Sequence, residues 1–229
     1  MLKTDLHLHS SEDPQDHRLI NYDSKELIRR TAKLNFKVLA LTHHCNVFYN
    51  KELVNYAKRY GIFLVQGAEA EIEGKEVLLY NIDNKTLKKI KTFSDLEREK
   101  REGIFVIAPH PFFKKPTCLG KKLFKYKHIF DAVEYSHFYT RFFNKANKKA
   151  VAFARESHKP LVGSSDAHNL WQLGYTYSLL DAEQNLDSIF EAIKKNKLKI
   201  VSRPLPYLRY FNLAGRTVFF YFLKRCKLV

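Results

Sequence analysis

The stretch Thr4-Asp5-Leu6-His7-Leu8-His9-Ser10 reads as a strand ending on two imidazoles two residues apart. Residues i and i+2 of a strand face one side, so His7 and His9 can meet one ion while Leu6 and Leu8 turn into packing. A lone pair of this kind is equally well a surface strand that binds nothing. What separates the two readings is recurrence. Metal-ligating residue types return at later strand ends, in Thr42-His43-His44, Gly67-Ala68-Glu69, Pro109-His110-Pro111 and Ser164-Ser165-Asp166-Ala167-His168.

Between these points the chain alternates strand and helix. Asp23 opens a helical pattern striped by Leu27, Ile28, Ala32 and Leu34, and Val38 to Leu41 is a short apolar run that a strand buried on both faces would show. A helix over roughly Asn50 to Tyr60 leads to the strand Ile62 to Val65, and Gly74-Lys75 turns back into Glu76 to Tyr80 as an antiparallel excursion. Helical sequence from Ser94 to Glu102 precedes the strand Ile104 to Ala108. A basic loop with a short helix, Lys114 to Lys127, the strand Ala132 to Tyr135 and a helix from Arg141 to Ser157 follow. Pro160 to Gly163, a helix over Leu186 to Lys195 and a last strand, Leu198 to Val201, complete the pattern.

With about seven strand and helix alternations and polar residues gathered where strands end, the pattern predicts an α/β fold, a (β/α)7 TIM-like barrel with its site at the C-terminal mouth of the strands. A doubly wound open sheet would concentrate ligands at one switch point instead. The length of 229 residues with 45% hydrophobic content suits one barrel domain over residues 1–203. Beyond it, residues 204–229 form a basic, aromatic-rich segment expected to be helical. That segment either packs on the barrel or mediates association with anionic membrane, nucleic acid or a second copy; its uncharged run Thr217 to Leu223 is far too short to span a bilayer.

Forty Lys+Arg against 24 Asp+Glu give a formal charge of +16, which attracts phosphate-bearing partners and says nothing of fold. Cys45, Cys118 and Cys226 are odd in number, widely spaced and without a Cys-x-x-Cys pair, so neither a disulfide framework nor a thiolate zinc site is indicated. With the first strand starting almost at Met1, a cytoplasmic location is expected. Ser164 and Ser165 flank a carboxylate and belong to no nucleophilic triad.

Taken together, Asp5-Leu6-His7-Leu8-His9-Ser10, Thr42-His43-His44, Gly67-Ala68-Glu69, His110-Pro111 and Ser165-Asp166-Ala167-His168 resemble, in order and approximate spacing, the motifs of the polymerase and histidinol phosphatase (PHP) family. The resemblance spans roughly Leu2 to Val201 and implies a distorted seven-stranded barrel holding two to three divalent ions, Zn, Mn or Fe. By resemblance His7, His9, Glu69 and Asp166 hold the first ion, and Glu69 bridges to a second held by His110 and completed by Glu134 or alternatively His137. His44 and His168 match the family's third-ion histidines. The chain departs from the family at Ser11-Glu12-Asp13-Pro14, where Asp13 is the leading third-site ligand and Asp16 or His17 the alternatives. It departs again at His43, where the family carries an aspartate.

The implied activity is hydrolysis of a phosphate ester by metal-activated hydroxide, with a small phosphorylated metabolite or nucleotide as the expected substrate. Arg141 and Lys114, or Lys115, are candidates to hold phosphoryl oxygens, and His168 or His44 to protonate the leaving oxygen. The rival readings are an exonuclease-type phosphodiesterase acting on nucleic acid ends and a basic barrel that binds nucleic acid or a partner without turnover. Phe112, Phe113, Phe138, Tyr139, Phe142 and Phe143 are either base-stacking platforms or core and rim packing.

Overall fold

The computed structural model describes residues 1–100 and 103–215. In chain order the elements are β1 (Leu2–Leu8), α1 (Ser24–Lys33), β2 (Val38–Leu41), α2 (Lys51–Arg59), β3 (Phe63–Ile72), β4 (Lys75–Tyr80), α3 (Asn84–Leu87), α4 (Phe93–Lys100) and β5 (Phe105–Ala108). They continue with α5 (Lys121–Lys125), β6 (Ala132–Ser136), α6 (Lys145–Glu156), β7 (Leu161–Ser164), β8 (Thr176–Leu180), α7 (Leu186–Lys194) and β9 (Leu198–Ser202). Residues 207–215 are helical, whereas the apolar run from Thr217 to Leu223 lies outside the described residues. Among the described residues no helix is long and apolar enough to cross a membrane.

The strands form one nine-stranded, nearly closed sheet in the order β7-β6-β5-β4-β3-β2-β1-β8-β9. This corrects the expected count of seven. The hairpin strand β4 is no excursion: it pairs antiparallel with both β3 and β5 and is part of the wall. The second addition, β8, pairs antiparallel with β1 and β9. It escapes a hydrophobic-periodicity reading because its buried face carries Thr176 and Ser178. Ser178 is polar for a reason visible at the seam. Its hydroxyl accepts from the Gly163 N–H at 2.9 Å and donates to the Gly163 carbonyl at 3.1 Å, so a side chain joins β7 to β8 where no ladder does.

Gly163 is required at that seam. A Cβ there would lie 2.8 Å from Ile200 Cγ2 and 3.0 Å from the Tyr177 carbonyl oxygen. Gly163→Ala is expected to lower stability by about 1–3 kcal/mol, the cost of overpacking a close-packed interior. Urea unfolding followed by circular dichroism measures it, and an unchanged midpoint would mean that the seam yields freely.

Packing follows the alternation of side chains across the sheet. Leu6, Val38, Ala40, Val65, Leu78, Tyr80, Ile107 and Val162 form the inner cluster, sealed by Ile189, Phe190 and Ile193 of α7. The Tyr80 hydroxyl crosses it to donate to the Leu6 carbonyl at 2.7 Å. Leu8, Leu39, Leu41 and Leu64 pack outward against α1 and α2, and Ala68, Val106 and Val133 outward against α4 and α6. Leu6 and Leu8 therefore join different clusters: a register shift in β1 between Asp5 and Leu8 turns the strand just where the histidines begin.

Candidate metal centre

The end of β1 is fixed from behind by Asp5. Its Oδ1 accepts from the backbone N–H of His7 at 3.3 Å and of Ser165 at 3.1 Å, tying the histidine pair to the loop after β7. Burial pushes this carboxyl up to about 7, partly opposed by the Ser165 hydrogen bonds. The motif predicts such a residue, but its positioning role becomes visible only in three dimensions.

His7 and His9 are both fully buried and do converge. Their Nε2 atoms stand 3.4 and 3.3 Å from Asp166 Oδ1, and 3.2 and 3.5 Å from Glu69 Oε2. Glu69 comes from the middle of β3, where His44 bridges to it as an isolated β-pair. The Glu69 Oε2 also lies 3.3 Å from His44 Nε2, and its Oε1 lies 3.3 Å from His110 Nε2. One carboxylate thus faces four imidazoles. Two of the donors occupy the left-handed region that non-glycine residues rarely adopt, His110 at φ 27° and Asp166 at φ 45°. Such backbone persists where its surroundings over-determine it, as the strand ends do here.

Electrostatics reinforces the geometry. Burial opposes charge on His7, but the Asp166, Glu134 and Glu69 carboxylates outweigh it and hold its pKa well above the ordinary range. Burial likewise opposes ionisation of Glu69, yet the nearby His7 and His44 hold its pKa well below that of a free carboxyl. Asp166 is lowered in the same way, chiefly by His7 once burial is overcome. Two buried atoms, His9 Nε2 and Glu69 Oε1, have no hydrogen-bond partner within the protein. Imidazole and carboxylate donors clustered within 4.8 Å, some buried and unsatisfied, fit a divalent cation.

Glu134 touches two of the donors from behind. Its Oε1 lies 2.8 Å from His7 Nδ1, and its Oε2 accepts from the His110 backbone N–H at 2.7 Å. It orients two donors from behind, the usual role of a carboxylate on the far nitrogen of a ligating histidine. His137, the alternative, turns its Nε2 to Gln172 Nε2 at 2.8 Å, and burial lowers its pKa to about 4. Neither enters the convergent donor groups, whereas Glu76 of β4 does, with Oε2 3.7 Å from His110 Nε2. Reading β4 as an excursion hid Glu76, and the wide spacing of the cysteines hid Cys118, in the loop before α5, whose Sγ lies 3.4 Å from His110 Nδ1. Glu134→Gln is expected to weaken metal binding about 10- to 100-fold while the chain stays folded. Chelator competition reads this directly, and unchanged affinity would deny Glu134 its orienting role.

At the mouth, Asp13 Oδ2 sits 2.8 Å from His9 Nδ1 and 3.0 Å from His44 Nδ1 and accepts from the His44 backbone N–H at 2.9 Å. Despite burial, hydrogen bonds from His44 and His9 hold its pKa below the usual carboxylate range. Asp16 Oδ2 lies 2.8 Å from His168 Nε2 and 3.7 Å from His44 Nδ1. The structure therefore brings both Asp13 and Asp16 to the group, the first behind the rings and the second between them. His17 stays exposed against the Pro14 carbonyl. His43, which replaces the family's aspartate, faces the Ser10 hydroxyl at 2.8 Å and, by burial, has its pKa lowered to about 4.

The donors open into a cleft of about 870 Å³ lined by His44, Glu69, Glu76, His110, Asp166 and His168, with Lys114, Lys145 and Lys149 at its sides. Arg141 is exposed and is not among the residues lining this cleft, whereas Lys114 is. The expected helix from Arg141 begins only at Lys145, because the Thr140 N–H bonds back to the Phe143 carbonyl at 3.1 Å and turns the chain first.

The PHP domain family matches residues 5–162, more than half of the chain and all of the donor-bearing strand ends up to β6. The chain belongs to the PHP family. A PHP-associated family matches residues 144–198, which carry Asp166 and His168. This PHP protein is 27% identical over 129 residues to an uncharacterized protein of Methanocaldococcus jannaschii, covering 54% of this chain and 75% of the relative. Among solved structures it resembles a two-domain protein of Bacteroides vulgatus containing a predicted PHP-like metal-dependent phosphoesterase. The TM-score there is 0.65 at 18% identity, over 88% of this chain and 65% of that one. It also resembles PsfC of Pseudomonas syringae, with a TM-score of 0.62 at 16% identity over 97% and 98% of the two chains. For the lesion-specific endonuclease PfuEndoQ of Pyrococcus furiosus the TM-score is 0.56 at 17% identity, over 87% of this chain and 57% of that one. At these identities the structural likeness establishes the fold.

Proposed function

We propose that this PHP protein is a metal-dependent phosphoesterase, hydrolysing a phosphomonoester of a small metabolite or nucleotide. The observation that carries the reading is Glu69, whose two oxygens face imidazoles on opposite sides. That arrangement suits one carboxylate shared between two ions. His7, His9, Glu69 and Asp166 would hold the first; Glu69, His110 and Glu76 would hold the second, with Glu134 orienting rather than ligating. Bound divalent ions supply an activated water and neutralise charge on phosphoryl oxygens.

The chain's own residues do the rest. Lys114, Lys145 and Lys149 draw the phosphate dianion into the cleft. Lys115 is engaged with Glu76 at 3.1 Å and holds that carboxylate in place. Asp16 raises the pKa of His168 against the effect of burial and keeps a proton at the mouth for the leaving oxygen. His9, Asp13 and His44 form a third group there, with Asp16 and His168 beside it, and the ion count decides its role.

The test is elemental analysis of the purified chain with phosphatase assays on an aryl phosphate under added Mn, Zn or Fe. Metal-stimulated turnover with two ions per chain leaves His168 as proton donor; three ions commit His44 and His168 to metal. Absence of both stoichiometric metal and turnover would favour a non-catalytic binding barrel. Shortening of an oligonucleotide in place of phosphate release would favour the exonuclease-type reading, which the lysine-edged, open cleft also accommodates.

A further inference from the structure

The cleft is far larger than a phosphate requires, and its outer wall is aromatic. Phe138 and Tyr210 stack at 4.6 Å with their planes 18° apart, and Phe143 lies 6.1 Å from Tyr210 at 17°. All three rings line the cleft, and Phe143 is 54% exposed. Tyr210 comes from the helix over residues 207–215, which also contributes Leu213 and Ala214 to the wall.

That helix is held against the site. The Arg209 guanidinium lies 4.5 Å over the Trp171 ring, in the turn that carries Gln172. Gln172 in turn accepts from the His168 backbone N–H and contacts His137. Upstream, buried Leu205 donates its N–H to the Tyr139 carbonyl at 2.8 Å. The helix is thus fastened on both sides of the metal donors, and its aromatic face is part of their cleft.

The nearly parallel rings stack in series, Tyr210 between Phe138 and the exposed Phe143, and such a stack is extended by a further flat π-system; an alkyl chain would be better served by an enclosed tunnel. Lysines at the cleft's sides suit the phosphate attached to it. We infer that the 207–215 helix is a specificity wall on which Phe138, Phe143 and Tyr210 stack the base of a nucleoside phosphate while its phosphate lies over the metal donors. This rests on the phosphoesterase reading and narrows its substrate class to base-bearing phosphates.

The test is calorimetric binding to the Mn-loaded full chain of non-hydrolysable phosphonate analogues of AMP, ribose 5-phosphate and heptyl phosphate. The AMP analogue is expected to bind about 10-fold tighter than the ribose analogue, the scale of one stacked base. Tyr210→Ala should abolish that ratio and Tyr210→Phe preserve it. Leu208→Ala, on the same helix but outside the cleft lining and 85% exposed, should leave the ratio unchanged. Equal affinity for the AMP and ribose analogues, an unchanged ratio in Tyr210→Ala, or tighter binding of the alkyl analogue would each overturn the inference. A phosphonate analogue of a dinucleotide binding tighter than that of AMP would place the base in a strand end. Base-selective binding without turnover of AMP or of the aryl phosphate would sink the phosphoesterase reading and leave the base-binding wall standing.

Discussion

Glu69→Gln should reduce kcat/KM by about 10³-fold and bring bound metal below one ion per chain. The substitution keeps the shape and removes the charge from the carboxylate that faces His7, His9, His44 and His110 at 3.2–3.5 Å. One amide oxygen remains to ligate, and the amide nitrogen cannot. Four imidazoles then share a single carbonyl, so the shared ligand of two ions is lost. Metal at a phosphoryl centre is worth several kcal/mol of transition-state stabilisation, and each ~1.4 kcal/mol is tenfold in rate. Elemental analysis and steady-state kinetics on the folded variant measure both effects. A variant with wild-type metal content and a rate within about threefold of wild type would remove Glu69 from the centre.

The second large effect is a pH-dependent stabilisation by metal. In the metal-free protein His7 and His110 have pKa values held well above 6.5, with burial opposing and the carboxylates of Asp166, Glu134 and Glu69 prevailing at His7 and Cys118, Glu69 and Glu76 at His110. Their contribution to stability is fully present below 6.5 and is lost as pH rises through the folded-state values. Glu69 and Asp166 are shifted well below 4.5 and 3.8. Their contribution is present above those ordinary values and is lost as pH falls through the lowered ones. These four groups therefore stabilise the fold most between about 4.5 and 6.5.

Metal binding needs neutral imidazoles, so ions displace protons and their affinity rises with pH over the range where the metal-free site weakens. At 100-fold excess over Kd, a bound ion contributes about 2.7 kcal/mol. For a chain of this size that corresponds to roughly 5–10 °C in Tm. Thermal unfolding with Mn and with chelator should show a gap of that order at pH 8 and a smaller one at pH 6. A gap that is equal at both, or wider at pH 6, would contradict the ion pairing described for the metal-free centre.

The local chemistry was legible along the chain because each donor stands at the end of an apolar run. Val38 to Leu41 can only be a buried strand, so His43 and His44 fall where it ends; Ile104 to Ala108 places His110 in the same way. Periodicity and strand-end polarity are short-range properties, and short-range properties are what a sequence displays directly. The alternation of helix with strand, the convergence of His7 with His9 and the family motifs were all readable for that reason.

Other features depended on contacts between distant segments. The sheet has nine strands because β8 pairs with β1 and β9, and the polar inward face that lets Ser178 bond Gly163 across the seam, 15 residues away, concealed β8. Glu76 reaches His110 only because β4 is built into the wall between β3 and β5. Glu134 meets His7 and the His110 backbone N–H, which come from other strands, one at each carboxylate oxygen. Arg141 and Lys145 look alike as cations four residues apart, and a turn ending at Phe143 leaves one outside the cleft lining and the other within it. The residue types of the candidate centre were thus determined by sequence, because most stand at or just beyond a strand end that periodicity displays, Glu69 within β3 being the exception. Which of them face the ions, which stand behind, and which wall the C-terminal helix supplies were decided by tertiary structure, because those roles belong to pairs of atoms that the chain brings together only on folding.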